Sequence, residues 1–187
     1  MVSSSVYGFE NELDQICPIL EAYGYEVLNS HYNTIKVNPN LSNKENCLRA
    51  VEECDLFLGI IRPFCGTGEI GNEYITISEM KKAIELGKLY WFLAHGNVTF
   101  ARILLRNIEL KSGDEIIIKK NKHFHKESVE IYDYVTKNHI QDVGSRKGNW
   151  VPNFYDIAQV MKYIQTQFID KENINQLINQ QNGNNHY

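Results

Sequence analysis

Leu56-Phe57-Leu58-Gly59-Ile60-Ile61 is a run of strand length without one polar side chain. A strand with one wet face alternates apolar and polar residues; a run without alternation needs cover on both faces. Strands buried on both faces belong to parallel sheets flanked by helices. Leu89-Tyr90-Trp91-Phe92-Leu93 repeats the signal. Parallel neighbours cannot be joined by a tight turn, and they need a crossover of a dozen or more residues, usually a helix. The chain supplies such helices. Leu13, Ile16, Cys17 and Leu20 recur at helical spacing, so residues 8–22 read as a helix stopped by Gly24. Ser42 or Asn43 can cap a second helix running to Cys54, and residues 75–87 make a third ended by Gly87. Met1–Ser4 reads as a very short first strand and Tyr25–Leu28 as a short second one. The order βαβαβαβ, with right-handed crossovers, predicts an α/β fold: a flavodoxin-like, doubly wound parallel sheet. The expected strand order is second, first, third, fourth.

The second half is less regular. Val98–Asn107 reads as a helix with Phe100, Ile103 and Leu104 as its apolar side, and Glu115–Lys119 as a fifth strand. Val129–His139 reads as a helix, Gly144–Gly148 as a loop and Phe154–Phe168 as a helix carrying Ile157, Val160, Met161 and Ile164. The expected division is a βα domain over 1–107, a mostly helical C-terminal extension over 108–172 packed on the same domain, and an Asn/Gln-rich tail over 173–187. That tail offers little apolar surface, so fraying is expected beyond about Leu177.

Composition narrows the partners. Among 187 residues, 19 Lys+Arg stand against 23 Asp+Glu, a net charge of −4 that lacks the basic footprint of a duplex-binding protein. The one local excess, Lys119, Lys120, Lys122 and Lys126 around His123 and His125, reads as a solvated edge, with nucleic-acid binding as its alternative. No run approaches the ~18 apolar residues of a membrane span, and Met1–Ser5 has neither a basic nor an apolar leader region. A cytoplasmic protein without membrane contact is the expectation. The cysteines at 17, 47, 54 and 65 read as reduced thiols, with no C-x-x-C pair for zinc or redox chemistry. Cys17, Cys47 and Cys54 fall on apolar helix faces and read as small core residues. Cys65 alone lies in a loop and is the one thiol placed to be reactive, with an inert side chain the favoured reading. His123-x-His125 has ligand-like alternation, yet a solvated polar strand face explains it better, and no metal is expected.

In an open parallel sheet, ligands bind beyond the C-terminal strand ends where the strand order reverses. Two loops meet that description. Ser3-Ser4-Ser5-Val6-Tyr7-Gly8 leads into a helix N-terminus, either as an anion cradle or as a turn that caps its own helix. Arg62-Pro63-Phe64-Cys65-Gly66-Thr67-Gly68 brings a cation that fits a phosphate, a carboxylate or a surface ion pair. The first loop is not a P-loop, and G-x-G-x-x-G is absent from that strand–helix junction. Glu79 lies early in the third helix. The helix dipole alone accounts for a carboxylate there, at ~0.3–1 kcal/mol; in a cleft it could stabilise a sugar cation or act as nucleophile or base.

Three stretches carry a resemblance. Ser3-Ser4-Ser5-Val6-Tyr7, the run from Asn46-Cys47-Leu48 through Cys54-Asp55-Leu56 to Gly59-Ile60-Ile61, and Ile75-Thr76-Ile77-Ser78-Glu79 with Ala83, Gly87 and Lys88 resemble the signatures of a bacterial family of unknown function. That family is often fused to NACHT or other STAND-type NTPase modules and to TPR repeats, in signalling and defence proteins. Its relatives are the TIR domains and the nucleoside 2-deoxyribosyltransferases. The resemblance covers about residues 1–110, with the remainder looking like the extension of a stand-alone subgroup. It implies a TIR-like form of the flavodoxin-like sheet and a small nucleotide such as NAD, or a nucleoside, as ligand. No resident cofactor is expected, and a domain of this kind could also act by self-association, as a homo-oligomer. Glu79 matches the glutamate with which active relatives engage the anomeric carbon of an N-glycosidic bond. Ser4, Ser5 and Tyr7 match positions near the ligand, and Arg62 and Cys65 join them from the second loop. The chain departs from the pattern at its short first strand, at Lys88-Leu89 where Lys-Pro is usual, and at Ile75, where a TIR domain often carries a hydroxyl. The leading expectation is a nucleotide-recognising signalling or defence module; the alternative is an NAD nucleosidase or deoxyribosyltransferase-like enzyme using Glu79.

Overall fold

The computed structural model describes residues 1–70, 73–108, 117–119, 121, 123–137 and 150–184. Four parallel strands make one sheet: β1 (Val2–Ser4), β2 (Leu56–Ile61), β5 (Leu89–His95) and β6 (Asn153–Phe154), in the order β1-β2-β5-β6. A two-stranded antiparallel hairpin, β3 (Glu69–Ile70) with β4 (Glu73–Tyr74), stands apart from it. Among the described residues there are seven helices: α1 (Glu10–Ala22), α2 (Asn43–Glu53), α3 (Ile75–Glu85), α4 (Gly96–Arg106), α5 (Glu127–Lys137), α6 (Ile157–Phe168) and α7 (Lys171–Asn184). None of them is long and apolar enough to cross a membrane.

The all-apolar run is the centre of the sheet, and its alternation divides the core. Leu58 and Ile60 point to one face, where they meet Leu13, Ile16 and Leu20 of α1, Val160 and Ile164 of α6, and Ile174 of α7. Phe57 and Ile61 point to the other, against Val51 of α2, Ile77 and Met80 of α3, Val98 of α4 and Val135 of α5. Helices cover both faces, as a strand without polar positions requires.

Several elements differ from the sequence reading. Tyr25–Leu28 forms no strand. It runs beside β1 through the Val2 N–H donated to the Leu28 carbonyl at 2.9 Å, while the Asn29 side chain donates to the Val2 carbonyl at 2.9 Å. Beside the three-residue β1, one backbone hydrogen bond and one amide side chain stand where a strand ladder would run. The glycine-rich stretch after β2 closes into the β3–β4 hairpin instead of remaining a plain loop. On α4, Phe100, Ile103 and Leu104 are exposed, while Val98 is fully buried and Ala101 and Leu105 pack against the core. The Phe154–Phe168 segment starts as strand β6 and becomes helical at Ile157. α7 runs through Leu177 to Asn184, with Ile174 buried and Leu177 and Ile178 packed on the core. Lys171 also donates to the Gly24 carbonyl and Gln181 to the Gly87 carbonyl. Three apolar residues at i, i+3 and i+4 suffice to dock a helix of otherwise polar composition. Of the expected fifth strand, 117–119 has no regular structure, and 115–116 lies outside the described residues, as do 138–139 and the Gly144–Gly148 loop.

Candidate functional site

The segment after β1 and the segment after β2 lie side by side at the C-terminal end of the sheet. There they wall a cavity of about 500 Å³ with the loop before α2 and the start of α3. Its lining includes Ser4, Ser5 and Tyr7 from the first loop, Cys65 from the second, and Glu79 from α3. Five of the six residues singled out from the sequence therefore share one cavity. Ser30, Asn33 and Val37 close the far side, Asn33 with a positive φ of 56° that its short polar side chain tolerates. Asn46 shapes the neighbouring turn: its Oδ1 accepts from the Asn38 N–H at 2.8 Å and its Nδ2 donates to the Leu41 carbonyl at 3.2 Å.

Glu79 is 5% exposed, beneath the cavity. The Ser3 hydroxyl donates to its Oε2 at 2.5 Å, and the Cys47 thiol is its second hydrogen-bonding neighbour. Burial disfavours the charged form more than these two donors favour it, so the carboxyl is pushed up from 4.5 to about 7. In turn, burial and the adjacent Glu79 push the Cys47 thiol up to about 12. Cys47 is therefore a thiol, not a thiolate, at neutral pH.

Arg62 occupies a different place. Its Nη1 donates to the Ser5 carbonyl at 2.8 Å, to Ser5 Oγ at 3.0 Å and to the Tyr7 carbonyl at 3.1 Å. Its Nη2 donates to the Gly8 carbonyl at 2.8 Å, and the guanidinium carbon lies 4.6 Å from the centre of the Phe9 ring. The guanidinium thus clamps the β1–α1 loop, and it does not line the cavity. Ser5 Oγ extends the clamp by donating to the Phe64 carbonyl at 2.6 Å. Ser4 Oγ makes only a long contact of 3.4 Å to the Ser5 carbonyl. Tyr7 is 57% exposed at the rim, its ring 5.7 Å from that of Phe64.

Cys65 is buried, and its N–H donates to His125 Nδ1 at 3.4 Å. His125 is itself buried against Phe64 and Tyr74, with ring centres at 4.5 and 4.8 Å. It anchors the C-terminal part of the chain to the loop behind the cavity. Among the described residues no group of His, Cys, Asp and Glu could hold a metal ion. A further cavity of about 350 Å³ opens at the opposite strand ends, beside Met1, Asp55 and Lys171. It lies away from Glu79, at the end of a parallel sheet where ligands are not usually bound.

The family model of DUF4062, a domain of unknown function, matches residues 1–181. The chain belongs to this family. No curated protein and no solved structure matches it. The DUF4062 match extends well past the first 110 residues and takes in α5, α6 and most of α7. The C-terminal half is thus part of what defines the family. Within this DUF4062 fold, two neighbours of Glu79 escaped the sequence reading. In the sequence Cys47 falls within the apolar stripe of α2, because a thiol scores as a small hydrophobe. Ser3 was grouped with Ser4 and Ser5 as a loop hydroxyl, whereas it lies in β1 and faces α3. Strand alternation separates Ser3 from Ser4, and only the packing of α3 against β1 says which of the two meets the carboxyl.

Proposed function

We propose that this DUF4062 domain recognises a small ligand of the nucleoside or nucleotide class in the Glu79 cavity, as a signalling or defence module. The observation that carries the reading is the Glu79 carboxyl, buried at about 7 beneath a cavity of about 500 Å³. Ligand sites are commonly ~300–1,000 Å³, with a few convergent polar groups. A carboxyl kept partly protonated near neutral pH, in a site open to a ligand, can donate or accept a hydrogen bond from a ribose or a base. A purely structural carboxyl at this depth would be expected to have an ion-pair partner; Glu79 has the Ser3 hydroxyl and the Cys47 thiol as its hydrogen-bonding neighbours.

A second reading rests on the same carboxyl: cleavage or transfer at an N-glycosidic bond. A group titrating near the working pH suits a nucleophile or proton carrier. Glu79 is the lone carboxylate among the described lining residues. The step would therefore be attack of its oxygen on the anomeric carbon, with the base departing on the C–N electron pair; water or an acceptor hydroxyl then displaces the carboxylate from that carbon and gives up its proton to the released base. The two readings separate by incubating the protein with NAD and a nucleoside panel and assaying both binding and released base. Release that disappears in Glu79→Ala supports catalysis. Binding without release, retained in Glu79→Gln, supports recognition. Neither binding nor release would sink both readings.

A further inference from the structure

The apolar stripe of α4 that stands on the surface has no partner within the described fold, and we infer that it is where two copies of this chain pair. Val98, Ala101 and Leu105 already turn one side of α4 to the core. Phe100, Ile103 and Leu104 make a second apolar side, which no rotation of the helix could bury together with the first. A helix that is apolar on both sides is the kind found covered on both sides. Phe100 is 65% exposed, Ile103 and Leu104 are about half exposed, and Ile108 continues the stripe just past the helix. Tyr155, also 65% exposed, extends it toward the helix N-terminus, because its ring lies over Gly96: a Cβ added there would stand 2.1 Å from the ring.

Area and charge both point to a second copy as the occupant. At the ~150–250 Å² that an aromatic residue can bury, the two rings offer about 200–320 Å², and the aliphatic residues bring the stripe to roughly 500 Å² of apolar surface. A stable interface takes about 800 Å² from each partner, of which roughly 450–520 Å² is apolar. The stripe itself carries no ionisable side chain. The two arginines of α4, Arg102 and Arg106, reach the other way to Asp133 of α5, at 2.5 and 3.0 Å. Chains of net charge −4 pair most readily through a surface that sets no like charges together, and this is such a surface. A stripe along one helix is also its own complement when a second copy lies antiparallel across it, the two-fold arrangement commonest among soluble oligomers. The inference stands apart from the ligand reading, since α4 contributes nothing to the described lining of the Glu79 cavity.

Sedimentation equilibrium of the full chain over about 1–100 µM tests it, since an interface of this size forms at micromolar concentration or below. A dimer is expected within that range. Phe100→Glu should weaken it at least about tenfold, because it places a charge in the apolar contact. Ile103→Ser should weaken it without adding charge. Both positions are exposed, so the melting temperature of each variant at low concentration should match that of the wild type. A wild-type chain that stays monomeric throughout would overturn the inference, whether another protein or another part of the chain covers the stripe. A dimer that both variants leave intact would overturn it too, by placing the interface elsewhere.

Discussion

At the scale of single residues, the burial of Glu79 has a thermodynamic consequence. Its folded-state value of about 7 lies above the ordinary 4.5 that the unfolded chain restores. Between those values the native state holds the proton more tightly, so stability falls as pH rises through that window. The full loss above neutral pH is about 3 kcal/mol, at ~1.4 kcal/mol per unit. Glu79→Gln removes the ionisation and keeps the shape. Urea denaturation should find the variant more stable than the wild type near pH 8, by up to ~3 kcal/mol, with the difference closing toward pH 4.5. A difference that does not change with pH would mean that Glu79 titrates as an ordinary carboxylate. Glu79, Ser5, Tyr7 and Cys65 could be read from the sequence as sharing a cleft, because strand-end loops converge in any parallel sheet. The engagement of Arg62 could not, since its acceptors are backbone carbonyls, which every sequence has and only a loop conformation aims.

Among the elements, β2 and β5 were the most legible, and Gly59 explains how closely they fit. A Cβ at Gly59 would stand 2.3 Å from the Phe92 ring, which occupies the space above the strand. Phe57 meets the same ring at 6.0 Å between centres. Gly59→Ala must therefore push Phe92 into a filled core, and a loss of about 1–3 kcal/mol is expected in thermal or chemical melts. A neutral substitution would show that the ring has room to turn. The helices were legible to within a few residues wherever apolar spacing and a cap coincided, as at Ser42 before α2. Periodicity was less informative where both sides of a helix are apolar. On α4 the pattern cannot tell the stripe of Val98, Ala101 and Leu105 from that of Phe100, Ile103 and Leu104. The choice was made by packing against α5 and the sheet. The β3–β4 hairpin was hidden for a related reason, since strands of two residues carry no period at all.

For the molecule as a whole, the sheet's order places the ends of β1 and β2 side by side, and the cavity follows from that adjacency. The described elements C-terminal to α4 support this arrangement from behind. His125 holds the loop after β2 by accepting from Cys65 and donating its own N–H to the Pro63 carbonyl at 2.8 Å. β6 extends the sheet, and α6 and α7 cover the face opposite α2 and α3. This half was the least legible in the sequence, because it contributes a two-residue strand and helices whose partners are distant. The −4 net charge now has a local counterpart, a cavity whose described lining holds a carboxyl and no cation. The most direct test of that site is a pH titration of the Glu79 carboxyl carbon by NMR, with and without saturating nucleoside. A midpoint near 7 in the free protein, displaced when the nucleoside is added, is the predicted result. A midpoint near 4.5 that no nucleoside moves would contradict it.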